Sequence, residues 1–264
     1  MMDILEVKDL CFSYGSAQVL KEISFSVPKS KFVSVLGPNG VGKSTLFRCI
    51  LNTAGHYDGD ILLSGKSSKT LSRKEIASQI AYIPQIHRPS FGYSVLDTVL
   101  MGAAHLLSPL QKPTAEHVDN ALKAMERAGV LELKDRDYSH LSGGEQQLVL
   151  IARAVSQNSD ILLMDEPTSA LDYGNQIMIL ELIRQLSEEG FTVIMSTHNP
   201  QHALTYADRV LALKGGSIAA YGEPADKISE KLLYELYGVR TVIADTGYGR
   251  FITPLRKEKS EHDV

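Results

Sequence analysis

One short stretch limits what this chain can fold into more than any other: Gly37-Pro38-Asn39-Gly40-Val41-Gly42-Lys43-Ser44-Thr45. It follows an apolar run, Phe32-Val33-Ser34-Val35-Leu36, and precedes a helix-like run, Leu46-Phe47-Arg48-Cys49-Ile50-Leu51. Strand, glycine-rich turn and helix in that order make the setting of a phosphate-binding loop. Glycines let successive backbone N–H groups converge without Cβ clashes, and the helix that follows aims its unpaired N–H groups at the same point. Lys43 then reaches the outer phosphates and the Ser44 hydroxyl is placed for Mg²⁺. The stretch satisfies G-x-x-x-x-G-K-[ST] in full and not the dinucleotide pattern G-x-G-x-x-G. A nucleoside triphosphate is the expected ligand.

Composition narrows the use of that ligand. The 264 residues suffice for one large domain, and 44% apolar with 22% charged residues reads as an ordinary globular chain. A net charge of −4 supplies no basic field for nucleic acid. The two cysteines, Cys11 and Cys49, have no metal or redox spacing. Cys49 falls on the helix after the loop, as a small apolar residue would. No apolar run approaches the roughly 20 residues that span a bilayer, and the N-terminus carries no secretion signal. The expectation is a cytoplasmic protein that another chain holds at any membrane where it works.

Residues 4–30 read as short strands and turns, a small antiparallel sheet beside the nucleotide core. Tyr14 falls in a turn of that sheet. Spacing alone makes it a partly buried turn residue, with stacking on a base as the alternative. Ile80 to Ile83 is a strand stopped by Pro84, which leaves Gln85 at a strand end; alone, Gln85 reads as a loop glutamine. Residues 94–157 change to helical spacing, with Val118, Ala121, Leu122 and Met125 before Gly129, and Leu148, Ile151, Ala152 and Val155 later. Ile161-Leu162-Leu163-Met164 reads as a central parallel strand and Thr192-Val193-Ile194-Met195 as another. Tyr173 to Glu189 is expected to be helical. Arg209–Leu213 and Ile218–Tyr221 flank a hairpin turn, Ile228–Tyr237 is a terminal helix, and Arg256–Val264 is a charged, frayed end.

Asp165 and Glu166 follow the apolar strand. The first suits Mg²⁺; the second, pointing elsewhere on an extended backbone, is free to polarise an attacking water. Nearby polyphosphate would raise its pKa and improve it as a base. His198 follows the next strand, placed to donate to a γ-phosphate. Leu141-Ser142-Gly143-Gly144-Glu145 opens a further helix. It reads either as a plain serine N-cap or as a second anion site, and one chain with one triphosphate loop would need a partner copy to use the latter.

In order, these residues resemble the ATP-binding subunit of ATP-binding-cassette (ABC) transporters over about residues 4–237. Gly37–Thr45 resembles the Walker A loop, Gln85 the Q-loop and Leu141–Glu145 the signature motif. Ile161–Glu166 resembles Walker B, Ser169–Asp172 the D-loop, His198 the switch histidine and Tyr14 the aromatic that stacks on adenine. The resemblance implies an α/β P-loop core (1–93 and 158–237) with an antiparallel β subdomain, an α-helical subdomain (94–157) and a C-terminal tail (238–264). It implies ATP and Mg²⁺ as ligands, with Glu166, His198, Gln85 and Lys43 catalytic. Ser44, Gln85 and Asp165 would hold the metal, and Tyr14, Gly37 to Thr45 and Asp172 the nucleotide. Ser142, Gly143 and Gly144 would come from the second copy of a head-to-tail dimer. A polytopic permease would anchor the chain at the cytoplasmic face of the membrane, with a substrate-binding protein beyond it.

Glu145 stands where glutamine is commonest in the family, and Leu148 where many members have arginine, a change expected to bear on partner contacts. The stretch Phe91 to Gly102 is similar to that of importers of iron siderophores, haem, cobalamin and oxyanions such as molybdate. A soluble cassette ATPase acting on nucleic acid or ribosomes is the alternative; it would usually show two cassettes, coiled-coil insertions or zinc cysteines, and none is visible. A small-molecule kinase would not need Leu141–Glu145.

Overall fold

The computed structural model describes residues 3–85, 92–108 and 111–255. Phe91 of the importer-like stretch and the tail Arg256–Val264 lie outside the described residues. In chain order the strands and helices are β1 (Asp3–Tyr14), β2 (Ala17–Pro28), β3 (Phe32–Leu36), α1 (Lys43–Ile50), β4 (Asp58–Leu63), β5 (Lys66–Ser67), α2 (Arg73–Gln79) and β6 (Ile80–Ile83). Then follow α3 (Val95–Leu100), α4 (Ala115–Arg127), α5 (Gly143–Ser156), β7 (Ile161–Met164), α6 (Tyr173–Glu188), β8 (Thr192–Thr197) and α7 (Pro200–Tyr206). The chain continues with β9 (Arg209–Lys214), β10 (Ser217–Gly222), α8 (Pro224–Lys227), α9 (Glu230–Tyr237), β11 (Thr241–Thr246) and β12 (Gly249–Pro254).

A six-stranded sheet in the order β10-β9-β3-β8-β7-β6 is the frame. Its strands run parallel except β10, which returns antiparallel on β9. A parallel sheet is covered on both faces, so its strands are apolar without alternation; β3, β7 and β8 are buried at every position. Successive side chains still point to opposite faces. Leu162 and Met164 meet the helical side with Val99, Met125, Ile151 and Ile183. Leu163 and Ile161 meet the other side, with Leu46, Phe47 and Ile50 of α1 and Leu5, Leu20 and Ile61 of the antiparallel sheet β2-β1-β4-β5.

Register places the functional loops. Leu36 pairs with Thr197, Ile83 with Met164, and Met164 with Met195. The carboxyl ends of β3, β6, β7 and β8 therefore lie along one edge, where ligands bind in open α/β sheets. Gly37, Gln85, Asp165 and His198 all leave the sheet there.

One expectation changes. Residues 241–254 carry no strand in the sequence reading, yet form the antiparallel pair β11–β12. Leu148 is buried in the helical cluster with Ile151, Ala152 and Val155, as its helical spacing implies.

Cys49 lies in the core against α1's neighbours, and burial pushes its thiol from 9.0 up to about 12. An unfolded thiol ionises near its ordinary value, so between those limits the unfolded state binds fewer protons and stability falls as pH rises. We expect a thiol reagent at pH 8 to label Cys11, which is partly exposed, and to reach Cys49 only after denaturation. Labelling of both in the folded chain would contradict this packing.

Candidate active site

The loop after β3 is built by three backbone requirements. A Cβ at Gly37 would fall 2.8 Å from the Leu213 carbonyl oxygen, and Gly40 and Gly42 adopt φ of +80° and +112°. Glycine alone meets these without strain. The Gly37 N–H donates to the Thr197 carbonyl at 3.3 Å, which ties the loop to the end of β8. Helix α1 then begins at Lys43 with no side-chain cap at Gly42, so its first N–H groups remain for an anion.

Lys43 is 5% exposed, and its ammonium donates to the carbonyls of Gly37 at 2.8 Å and Pro38 at 3.2 Å. Its third partner is Glu166 Oε1 at 3.1 Å. The other carboxylate oxygen, Oε2, meets His198 Nδ1 at 3.1 Å and accepts from Gln85 Nε2 at 3.4 Å. A carboxylate only accepts, so Nδ1 carries the proton in that contact. Gln85 also donates to Ser169 Oγ at 3.3 Å. The four residues expected to be catalytic thus meet at one carboxylate.

Glu166 itself sits at φ +45°, a left-handed conformation rare outside glycine. Ser196 holds it there. Its hydroxyl accepts from the Glu166 N–H at 2.9 Å and donates to Asp165 Oδ1 at 2.7 Å. Ser196 escaped the sequence reading because a serine inside a buried strand gives no motif. Its one signal was the polar Ser196-Thr197 pair ending an apolar run.

Tyr14, Asn39, Gly40, Gly42, Lys43, Ser44, Thr45, Gln85 and Glu166 line one cleft of about 470 Å³. Tyr14, 47% exposed, stands edge-on to Phe12 at 4.8 Å, and its hydroxyl accepts from Arg48 at 3.3 Å. Pro38 and Val41 complete the loop through the Val41 N–H to Pro38 carbonyl bond at 3.4 Å. Asp165, 5% exposed, is tied to Glu166 through Ser196.

Ser142, Gly143, Gly144 and Asp172 form a separate group. Ser142 caps α5 in a capping box: its N–H and hydroxyl donate to Glu145 Oε2, both at 2.8 Å. The hydroxyl and then the N–H of Ser142 hold the Glu145 carboxyl below its ordinary range, with Arg136 adding to the effect. Asp172 caps α6, accepting from the Asn175 N–H at 2.9 Å and Asn175 Nδ2 at 2.6 Å. Gly144 lets the two helix starts approach, since a Cβ there would meet Asn175 at 2.8 Å. Among the described residues no hydrogen bond or ion pair joins this group to the cleft.

Comparison with known proteins gives a consistent picture. The family model described as "ABC transporter" matches residues 20–169. An uncharacterised ABC transporter ATP-binding protein of Haemophilus influenzae is 42% identical over 210 residues, covering 80% of each chain. A Helicobacter pylori protein described as an iron chelatin transport ATP-binding protein is 40% identical over 213 residues, covering 80% of this chain and 84% of that one. Among solved structures, an inward-facing transporter described as of metal-chelate type superposes with a TM-score of 0.86 at 30% identity, covering 97% of this chain and 98% of that one.

Replacing Ser196 by alanine leaves the buried Glu166 N–H without an acceptor. We expect a stability loss of about 1–3 kcal/mol by thermal or denaturant unfolding and slower phosphate release. Unchanged stability and turnover would refute the role given to Ser196.

Proposed function

This chain belongs to the ABC transporter family, as an ATP-binding subunit that hydrolyses ATP, and from that premise we propose that it powers import of a metal chelate through a membrane-embedded partner. The observation that carries the mechanism is the convergence of Lys43, Gln85 and His198 on Glu166 beside the phosphate loop. The cargo class rests on the iron-chelate and metal-chelate descriptions of its relatives. Among the described residues no helix is long and apolar enough to cross a membrane, so a polytopic permease provides the path, with a substrate-binding protein delivering cargo to it. The subunit then works at the cytoplasmic face.

In this reading the adenine stacks on Tyr14, and the backbone from Gly37 to Thr45 surrounds the phosphates. Lys43 exchanges its contact with Glu166 for one with the outer phosphates. Glu166 Oε1, released, accepts the proton of a water that attacks the γ-phosphorus, and ADP departs. His198 turns its ring N–H from Glu166 to the γ-phosphate. The Ser44 hydroxyl, the Asp165 carboxylate and the Gln85 amide oxygen are hard donors that fit Mg²⁺. When bound there, the ion supplies neutralising charge to the phosphates.

Ser142, Gly143, Gly144 and Asp172 lie outside the cleft, so they serve the nucleotide held by a second, head-to-tail copy. Residues 94–157 act as a helical unit that moves against the core (1–93 and 158–237), and with the Gln85 loop they transmit closure to the permease.

Two variants test the assignment. Glu166→Gln should retain ATP binding, lose turnover by about a hundredfold or more, and accumulate as a dimer with Mg-ATP in size-exclusion chromatography. A monomer with normal hydrolysis would show that another group is the base. Lys43→Ala should weaken ATP binding by about tenfold to a hundredfold, read by equilibrium titration. An unchanged dissociation constant would contradict the loop assignment.

A further inference from the structure

The loop that carries His198 is fastened to the C-terminal hairpin, and one side chain makes the connection. We propose that Gln201 is a positioning residue for His198, fixing the start of α7 against β12 and so setting where the imidazole stands relative to Glu166. This rests on the role given to His198 above.

Asn199 and Pro200 alone separate His198 from Gln201. The turn between them is internally tied. The Asn199 N–H donates to Thr197 Oγ1 at 3.0 Å, and the Gln201 N–H donates to Asn199 Oδ1 at 2.9 Å. Asn199 Nδ2 also contacts His202 Nε2 at 3.0 Å, and His202 is buried. Pro200 opens the helix with its φ already fixed. With so short and constrained a linkage, moving Gln201 moves His198.

Gln201 is held from outside by the hairpin. Its Nε2 donates to the Arg250 carbonyl at 3.0 Å, and its Oε1 accepts from the Ile252 N–H at 2.9 Å. The amide thus mimics a neighbouring strand on the open edge of β12. Its remaining amide hydrogen goes to Thr205 Oγ1 at 2.9 Å. On the opposite edge, the Ile243 N–H donates to the Glu230 carboxylate of α9 at 3.2 Å.

A lone two-stranded ribbon is marginal in water and has two unpaired edges. This one gains order by docking. Ile243 and Ile252 lie opposite each other and pack on Ala203, Leu232 and Leu236. The ribbon is therefore a brace whose fixed point is α9 and whose working contact is Gln201. The end of α9 is close to the chemistry: burial raises the Tyr237 phenol pKa, and the charge of Glu166 adds to that shift.

The test compares Gln201→Ala, Gln201→Glu and His198→Ala in the full chain, reading kcat, KM for ATP and thermal midpoint. Gln201→Ala should lower kcat about fivefold to tenfold with KM within about twofold. Gln201→Glu keeps the acceptor for Ile252 but sets a carboxylate oxygen against the Arg250 carbonyl, so it should lower kcat at least as far as Ala does. Amide exchange over residues 197–203 should quicken in the same order. A folded Gln201→Ala with wild-type kcat, or a loss that tracks KM or the thermal midpoint instead, overturns the proposal. Should that variant not fold, Gln201→Glu carries the same readings. If His198→Ala itself keeps turnover, the role of His198 fails and this proposal with it. If His198→Ala is inactive while Gln201→Ala is not, the positioning role alone falls.

Discussion

The contact between Lys43 and Glu166 governs the rest of the site. Both residues are buried, at 5% and 9% exposure. Charges taken out of water need partners, and removing one member of a buried pair typically costs about 3–5 kcal/mol. The carbonyls of Gly37 and Pro38 complete the ammonium's shell, and they can do so only because the loop bends back over α1. The glycines, the burial of the lysine and the strand-end carboxylate are therefore one solution to one problem. An anionic phosphate that draws Lys43 away substitutes one negative partner for another, so the cation stays paired. The carboxylate, freed on one oxygen, becomes available as a base. In the proposed reaction the pair would thus couple nucleotide capture to activation of Glu166.

The sheet makes that pairing possible at a distance in sequence. Lys43 opens the helix that follows β3 and Glu166 follows β7, and the parallel register brings the strand ends to one edge. Ser196 then converts adjacency into geometry, joining the Glu166 N–H and the Asp165 carboxylate through one hydroxyl. Because Glu166 occupies a left-handed conformation, it needs this external tie: the backbone alone would not hold it there.

Much of this was legible in the chain itself. A continuous apolar run such as Ile161–Met164 announces a strand covered on both faces, and the acids after it announce the edge. The phosphate loop is legible because its backbone demands are met by few residue types. The C-terminal hairpin was not, for a physical reason. Its alternation is weak, Val242 and Phe251 are exposed, and its edges are satisfied by side chains from α7 and α9 rather than by other strands. Pairing that depends on distant residues leaves no local pattern. Leu148 was legible too, since its helical spacing with Ile151, Ala152 and Val155 puts it on the buried face.

Glu145 follows from the same reasoning about charge. A glutamine at that position would close the capping box with a neutral amide. Here a carboxylate accepts from both the N–H and the hydroxyl of Ser142, which places negative charge at the helix start that an incoming anion would use. Arg136, 3.8 Å away, offsets part of it, though at an exposed site such a pair contributes little. The Ser142 hydroxyl donates to that carboxylate, so to donate to a phosphate it must turn away from Glu145. The exchange resembles the one at Lys43: in each half of the site, an internal carboxylate occupies the donor that the nucleotide is to take. In the proposed dimer, binding would proceed by displacement of a bound carboxylate on both sides, with the helix start kept capped until the phosphate arrives.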